Sequence, residues 1–280
     1  MRPDSPVQSH PELTSPPARV DVVGVPLAVI DYEQTLRWMD AMVAERQRGY
    51  VCACNVHTVM ASQEDPELRA ALLSPDALNV PDGQPLVWAL NALGQSLTDR
   101  VYGPELMARA FARAAAVTGQ RVYLYGGRNS DALVALELSL RRRFPGINIV
   151  GSYAPPFRPL SPDERAATVE EINESEADVV WVGIGVPKQE KWMATMRPDL
   201  EAPVLVGVGA AFDFHAGLVP QAPPLLQGAG LEWAYRLAQE PRRLWRRYLR
   251  YNPRFVAAFA RQLAAHRAAG EKSRTLYQYR

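Results

Sequence analysis

The chain alternates short apolar runs with stretches of helical periodicity. The runs Tyr50–Cys54, Ala77–Val80, Arg121–Tyr125, Ile147–Ser152, Asp178–Gly183 and Pro203–Val208 are almost continuously apolar, which is the pattern of strands covered on both faces. Between them the pattern predicts helices over about Tyr32–Gln47, over a region interrupted at Asp65-Pro66, and over Pro85–Leu93. Further helices are predicted from Pro104 to about Thr118, over Ser130–Phe144, from Ser161 to about Glu174 and over Pro187–Met196. Ser161-Pro162-Asp163-Glu164 reads as a capping box with proline at the first helical position. A strand pair, Arg19–Val25 and Leu27–Ile30, comes first. This alternation predicts an α/β fold, a Rossmann-like, mostly parallel sheet flanked by helices. Open parallel sheets bind ligands at the carboxyl ends of their strands. Five loops leave such ends and are expected to share one crevice: Asn55–Thr58, Pro81–Gly83, Gly126–Asn129, Gly183–Gln189 and Gly209–Gly217.

Composition adds the organisation. Residues 1–18 are rich in Pro and Ser and read as a disordered tail, and 19–225 as the α/β catalytic domain. No stretch approaches 18 uninterrupted apolar residues, so no spanning helix is expected. The start of the chain lacks the apolar run of a secretory signal. Two cysteines, Cys52 and Cys54, lie inside an apolar strand and suit neither a disulfide framework nor a zinc site. A cytoplasmic, reducing setting is expected.

The net charge of +1 hides an asymmetry. Residues 226–280 carry twelve Lys/Arg against three acids, a net +9, which leaves −8 on the rest. Between Pro241 and Tyr251, at 100° per residue, Arg243, Arg247 and Arg250 fall on one side and Leu244, Trp245, Tyr248 and Leu249 on the other. Arg242 and Arg246 lie on the flank. This basic helical appendage reads as a helix resting on an anionic membrane surface. Nucleic-acid binding and docking on the protein's own core are the alternatives. The continuous apolar side and the acidic body favour the membrane and no nucleic acid.

The residues with chemistry sit in the loops. Gly126-Gly127-Arg128 follows a strand and precedes a helix, so glycines, free N–H groups and a guanidinium are placed to hold a diphosphate. Gly183 and Gly185, with Asp213, join them as the expected nucleotide-binding group, and Gln189 in the next helical turn can donate to an anion or a sugar hydroxyl. Neither GxGxxG nor a Walker A loop is present, which argues against dinucleotide oxidoreductases and P-loop phosphotransferases. Asp82, between Pro81 and Gly83, is the expected general base, because partial burial at a strand end raises a carboxyl towards neutrality. Asn55, His57 and Thr58 are expected substrate ligands, and Arg100 reads either as a phosphate ligand or as a surface charge. No Asp-x-Asp pair and no Cys/His cluster with metal-ligand spacing occurs, so neither a metal nor another cofactor is expected.

Assembled, these stretches resemble the WecG/TagA/CpsF family of bacterial glycosyltransferases. The resemblance is carried by Asn55-Val56-His57, Val80-Pro81-Asp82-Gly83, Arg100-Val101-Tyr102-Gly103 and Val122–Gly127. It continues through Val182–Trp192, with Pro187-Lys188-Gln189-Glu190, then Gly207–Gly217 and Gly230–Arg243. It implies an inverting, metal-independent transfer from a UDP-sugar to a polyprenyl-diphosphate-linked saccharide at the inner membrane face. It makes Asp82 the base, Arg100 and Gln189 substrate ligands, and Arg236, Arg243 and Arg247 the arginines that the appendage brings to the site. A homo-oligomer is a further expectation. One departure stands out: members often carry threonine two residues before the asparagine, where this chain has Ala53. The competing reading is a non-catalytic UDP-sugar or RNA binding module.

Overall fold

The structure is a computed structural model and describes residues 17–223, 225–226 and 232–268. The expected tail up to residue 16, the Gly230-Leu231 part of the family motif and the end after residue 268 lie outside the described residues.

A hairpin opens the fold: β1 (Arg19–Val22) pairs antiparallel with β2 (Val25–Ala28). Its turn falls on Val23 and Gly24, both at positive φ, so the first strand ends earlier than the apolar run suggested. After α1 (Tyr32–Ala44) come β3 (Gly49–Cys54), α2 (Val56–Ala61), α3 (Pro66–Leu73), β4 (Ala77–Pro81), α4 (Gln84–Ala92) and α5 (Gly103–Arg113). A π-helical turn, Ala114–Thr118, ends α5. The second half runs β5 (Arg121–Gly126), α6 (Ser130–Arg143), β6 (Asn148–Tyr153), α7 (Pro162–Glu174), β7 (Val179–Gly183), α8 (Lys188–Met196), β8 (Val204–Gly207) and α9 (Ala211–His215). Two C-terminal helices follow, α10 (Glu232–Gln239) and α11 (Pro241–Ala268).

The six strands β3 to β8 form one parallel sheet in the order β4-β3-β8-β7-β5-β6. Because side chains alternate along a strand, each strand feeds two cores. Val51, Leu78, Leu124, Trp181 and Val206 pack with α1, α5 and α6 on one face. Tyr50, Cys52, Tyr123, Val180 and Leu205 pack with α3, α4 and α8 on the other. That double cover explains why the strands read as unbroken apolar runs. Capping sets the helix starts: Asp31, Asn55 and Ser161 each close a reciprocal capping box. Pro187 is the N-cap of α8 rather than its first residue.

The strand order puts the crevice where it is. From β5 the chain leaves towards β6, and from β7 it leaves in the opposite direction towards β8, so the loops above β5 and β7 part. Gly126 and Gly183 face each other at that parting, and Gly127 N donates to Gly183 O at 3.1 Å. A Cβ on Gly126, whose φ is +135°, would lie 2.6 Å from the Gly183 carbonyl. Gly126→Ala is therefore expected to lower the unfolding free energy by about 2–3 kcal/mol in a urea titration. A change below about 0.5 kcal/mol, the range of neutral surface substitutions, would refute this close packing.

Candidate functional site

Register brings the first group together. Cys54 pairs with Pro81 across β3 and β4, so Asn55 and Asp82 emerge side by side, and Asp82 N donates to Cys54 O at 2.7 Å. Val101 N donates to Pro81 O, which brings Arg100, Tyr102 and Gly103 to the same edge. Gly103 N donates to Asp82 Oδ1 at 2.8 Å. The Asp82 side chain keeps partial contact with solvent but is surrounded by dense protein. That desolvation pushes its pKa up to about 6; Arg100, the Gly103 N–H and Arg236 act downwards, and Glu232 acts upwards.

Arg100 is buried, so it is not a surface charge. Its Nη2 donates to Glu232 Oε2 at 2.6 Å, and its guanidinium lies 4.3 Å from the centre of the Tyr102 ring. Asn55 and Thr58 satisfy each other: Thr58 N donates to Asn55 Oδ1 at 3.2 Å, and Asn55 N to Thr58 Oγ1 at 3.4 Å. Thr58 is fully buried and serves the cap of α2, leaving Asn55 as the member of the pair at the crevice edge. His57 packs edge-on against Tyr251 of α11, with ring centres 5.1 Å apart. Burial, with the charge of Arg247 nearby, drives its pKa down to about 3, so it is neutral at physiological pH.

The second group lines a cavity of about 720 Å³ above β5, β7 and β8. Gly127, Arg128, Gly183, Gly185 and Asp213, all named from the sequence, lie in its wall; Lys188 joins them and Gly126 is not part of the lining. Two of the expected side chains already have protein partners. Arg128 forks onto Asp213, with Nε–Oδ1 2.9 Å and Nη2–Oδ2 3.1 Å, so its cationic fork is already engaged by a carboxylate. Gln189 is buried and donates to Glu190 Oε1 at 2.9 Å instead of facing the open crevice. Burial raises Glu190 to about 7, against the pull of that hydrogen bond. Sequence reasoning missed the remaining walls: Tyr125 stacked on Trp192 at 4.1 Å, and the proline-rich loop Pro155–Leu160 with its exposed Phe157. A loop of three prolines and one aromatic beside a strand end was the available signal.

The C-terminal helices reach both groups. Arg236 of α10 lines a small hollow with Asp213 and Phe214, its guanidinium 5.6 Å from the Phe214 ring, and its charge is felt at Asp82. Arg247 lies by His57, while the side chain of Arg243 is outside the described residues. Glu232 was the other residue missed; it is one of three acids in a segment holding twelve Lys/Arg, and that contrast marks it. Among the described residues no group of three or more His, Cys, Asp or Glu lies close enough to hold a metal ion.

The amphipathic helix also differs from its expected form. It runs unbroken through Pro253 because it is clamped on both sides of that residue. Leu244 and Phe255 are buried, Arg250 and Arg254 pair with Glu64 on the body, and Gln262 bonds Val23 and Asp21 of the hairpin. Part of the apolar side thus docks on the protein's own core, the alternative that sequence reasoning ranked lower. Trp245 and Leu249 stay outside, at 45% and 66% exposure.

A parallel sheet with a glycine-lined cavity and a desolvated carboxyl at its edge has the build of a group-transfer enzyme. The model of the glycosyl transferase WecG/TagA/CpsF family matches residues 20–269 of the 280, and the chain belongs to that family. It is a glycosyltransferase of polysaccharide synthesis.

Asp82 makes a prediction independent of substrate. Its pKa is higher in the folded chain than the ordinary 3.8, so the fold favours the protonated form. Stability is lost as pH rises from about 4 to about 6 and stays lost above. Asp82→Asn is expected to raise the unfolding free energy by on the order of 2 kcal/mol at pH 7.5 and by nothing at pH 4. Equal effects at the two pH values would show that the carboxyl is not perturbed.

Proposed function

We propose that the protein is an inverting, metal-independent glycosyltransferase that moves a sugar from a UDP-sugar to a polyprenyl-diphosphate-linked saccharide. The donor sugar is of the N-acetylmannosamine, N-acetylmannosaminuronic acid or glucose type. The observation that carries the reading is Asp82, a carboxyl pushed up to about 6 and in partial contact with solvent, at the carboxyl edge of the same sheet whose β5, β7 and β8 loops line the glycine-walled cavity. In the reaction Asp82 takes the proton of the acceptor hydroxyl as its oxygen attacks the anomeric carbon. The bond to the diphosphate breaks on the opposite face, and UDP leaves with the electron pair, so the configuration inverts. Asn55 and Arg100 flank the acceptor side. The diphosphate lies along Gly127 and Gly183–Gly185, takes over Arg128 from Asp213, and is neutralised further by Arg236. Gln189, through its bond to Glu190, sets the floor beneath it.

The membrane part of the reading rests on the outer face of α11. Trp245 and Leu249, one turn apart and exposed, stand beside Arg242 and Arg246, with the Arg246 guanidinium 5.4 Å from the Trp245 ring. Apolar anchors rimmed by arginines suit an anionic lipid surface, where each cation adds about 1 kcal/mol. Such docking would set the crevice facing a lipid-linked acceptor.

Two measurements test this. With UDP-sugars and polyprenyl-diphosphate-linked acceptors, kcat/KM is expected to fall below pH 6, and Asp82→Asn to lose about 10²–10⁴-fold in turnover. Near-normal turnover in Asp82→Asn would overturn the base assignment; loss on EDTA treatment restored by magnesium would overturn metal independence. In flotation with phosphatidylglycerol vesicles the protein is expected to bind, and Trp245→Glu/Leu249→Glu to lose at least tenfold in affinity with the fold intact. Equal binding to neutral phosphatidylcholine, or retention of RNA in its place, would remove the membrane reading.

A further inference from the structure

The Arg100–Glu232 pair joins residues 132 positions apart, and the two side chains are only 10% and 8% exposed. We infer that Glu232 is a positioning residue for the transfer: by engaging Arg100 it keeps Asp82 out of a salt bridge and free to accept a proton. The inference rests on the reading of Asp82 as the base.

The argument is one of competition for a buried cation. A guanidinium out of water must be paired. Arg100 has its partner in Glu232 and is packed over the Tyr102 ring. Among the described residues Asp82 accepts a single hydrogen bond, from Gly103 N, and makes no ion pair. The groups facing Asp82 are Arg100, Tyr102 and Gly103 around the start of α5, Tyr32 from α1, Cys54 from β3, and Glu232 and Arg236 from α10. Burial pushes the two tyrosines and the cysteine upwards, so these three stay neutral. The charged set is therefore two arginines and two carboxylates. Without Glu232, both cations would face Asp82 alone, and Arg100 would turn to the nearest remaining anion. An ion-paired carboxylate holds a proton poorly and is a weaker base.

The charge balance also ties catalysis to the C-terminal helices. Glu232 is the first residue of α10, so Asp82 keeps its basic character only while α10 is docked. The same helix supplies Arg236.

The test is a carboxyl ¹³C NMR titration of the full chain labelled at aspartate, with Asp82 assigned by its loss in Asp82→Asn. In Glu232→Gln the Asp82 midpoint is expected to fall by about one pH unit or more, and in Glu232→Asp to stay near that of the parent. The acidic limb of kcat/KM should move down in parallel, with the plateau lowered several-fold. A folded Glu232→Gln with an unmoved midpoint overturns the inference, as does a moved midpoint with an unmoved limb. Should Glu232→Gln not fold, Arg100→Gln is read instead: the Asp82 midpoint is expected to rise, and no rise overturns the inference. The titration needs no donor or acceptor, so absence of activity with every UDP-sugar would count against the transferase reading alone.

Discussion

The site depends on the burial of one positive charge. Arg100 sits beneath the edge of the sheet, and removing the partner of such a buried pair costs on the order of 3–5 kcal/mol. The partner comes from outside the parallel-sheet body, at the first position of α10. The α/β body therefore carries a buried arginine whose ion-pair partner lies on a helix outside it. The same helix carries Arg236, whose charge is felt at Asp82.

The two groups at the carboxyl edge of the sheet solve different electrostatic problems. Above β5 and β7 the ligand surface is backbone: Gly126 and Gly183 leave no side chain, so N–H groups can approach an anion closely. At that end Arg128 is paired with Asp213, an ion pair open enough to solvent that its net worth is small. Above β3 and β4 the requirement is opposite. There a carboxyl stays partly exposed yet desolvated, because the register of Cys54 with Pro81 sets Asp82 at the mouth of packed protein. Between them, β8 and the buried Gln189–Glu190 pair form a rigid divide.

Much of this was legible in the sequence. The apolar runs became the six strands nearly residue for residue, since a doubly covered strand has no polar face to confuse it. The loops at their carboxyl ends gave Asp82, Asn55 and the glycines, because those positions follow from strand boundaries alone. What was not legible depends on contacts between distant segments. That Arg128 meets Asp213, that Arg100 meets Glu232 and that Gln189 turns inwards cannot be read from spacing, as each partner lies on a different element or faces the core. The turn at Val23-Gly24 was obscured by a β-branched residue at positive φ, which local preference opposes.

The helix α11 shows why an amphipathic pattern underdetermines its partner. Its periodicity states that one side avoids water, and both a protein core and a lipid surface satisfy that demand. Here the apolar side is divided. Leu244 is buried and Tyr251 and Phe255 pack with the core that includes α2, whereas Trp245 and Leu249 lie further round the helix and stay exposed. The arginines divide in the same way, Arg250 and Arg254 onto Glu64 and Arg242 and Arg246 outwards. A helix fixed to the body along one stripe, with aromatic and cationic groups on the next, holds its outer stripe at a set angle to the crevice. A surface that engages that stripe therefore meets the active site in one orientation, which a freely tethered tail could not impose.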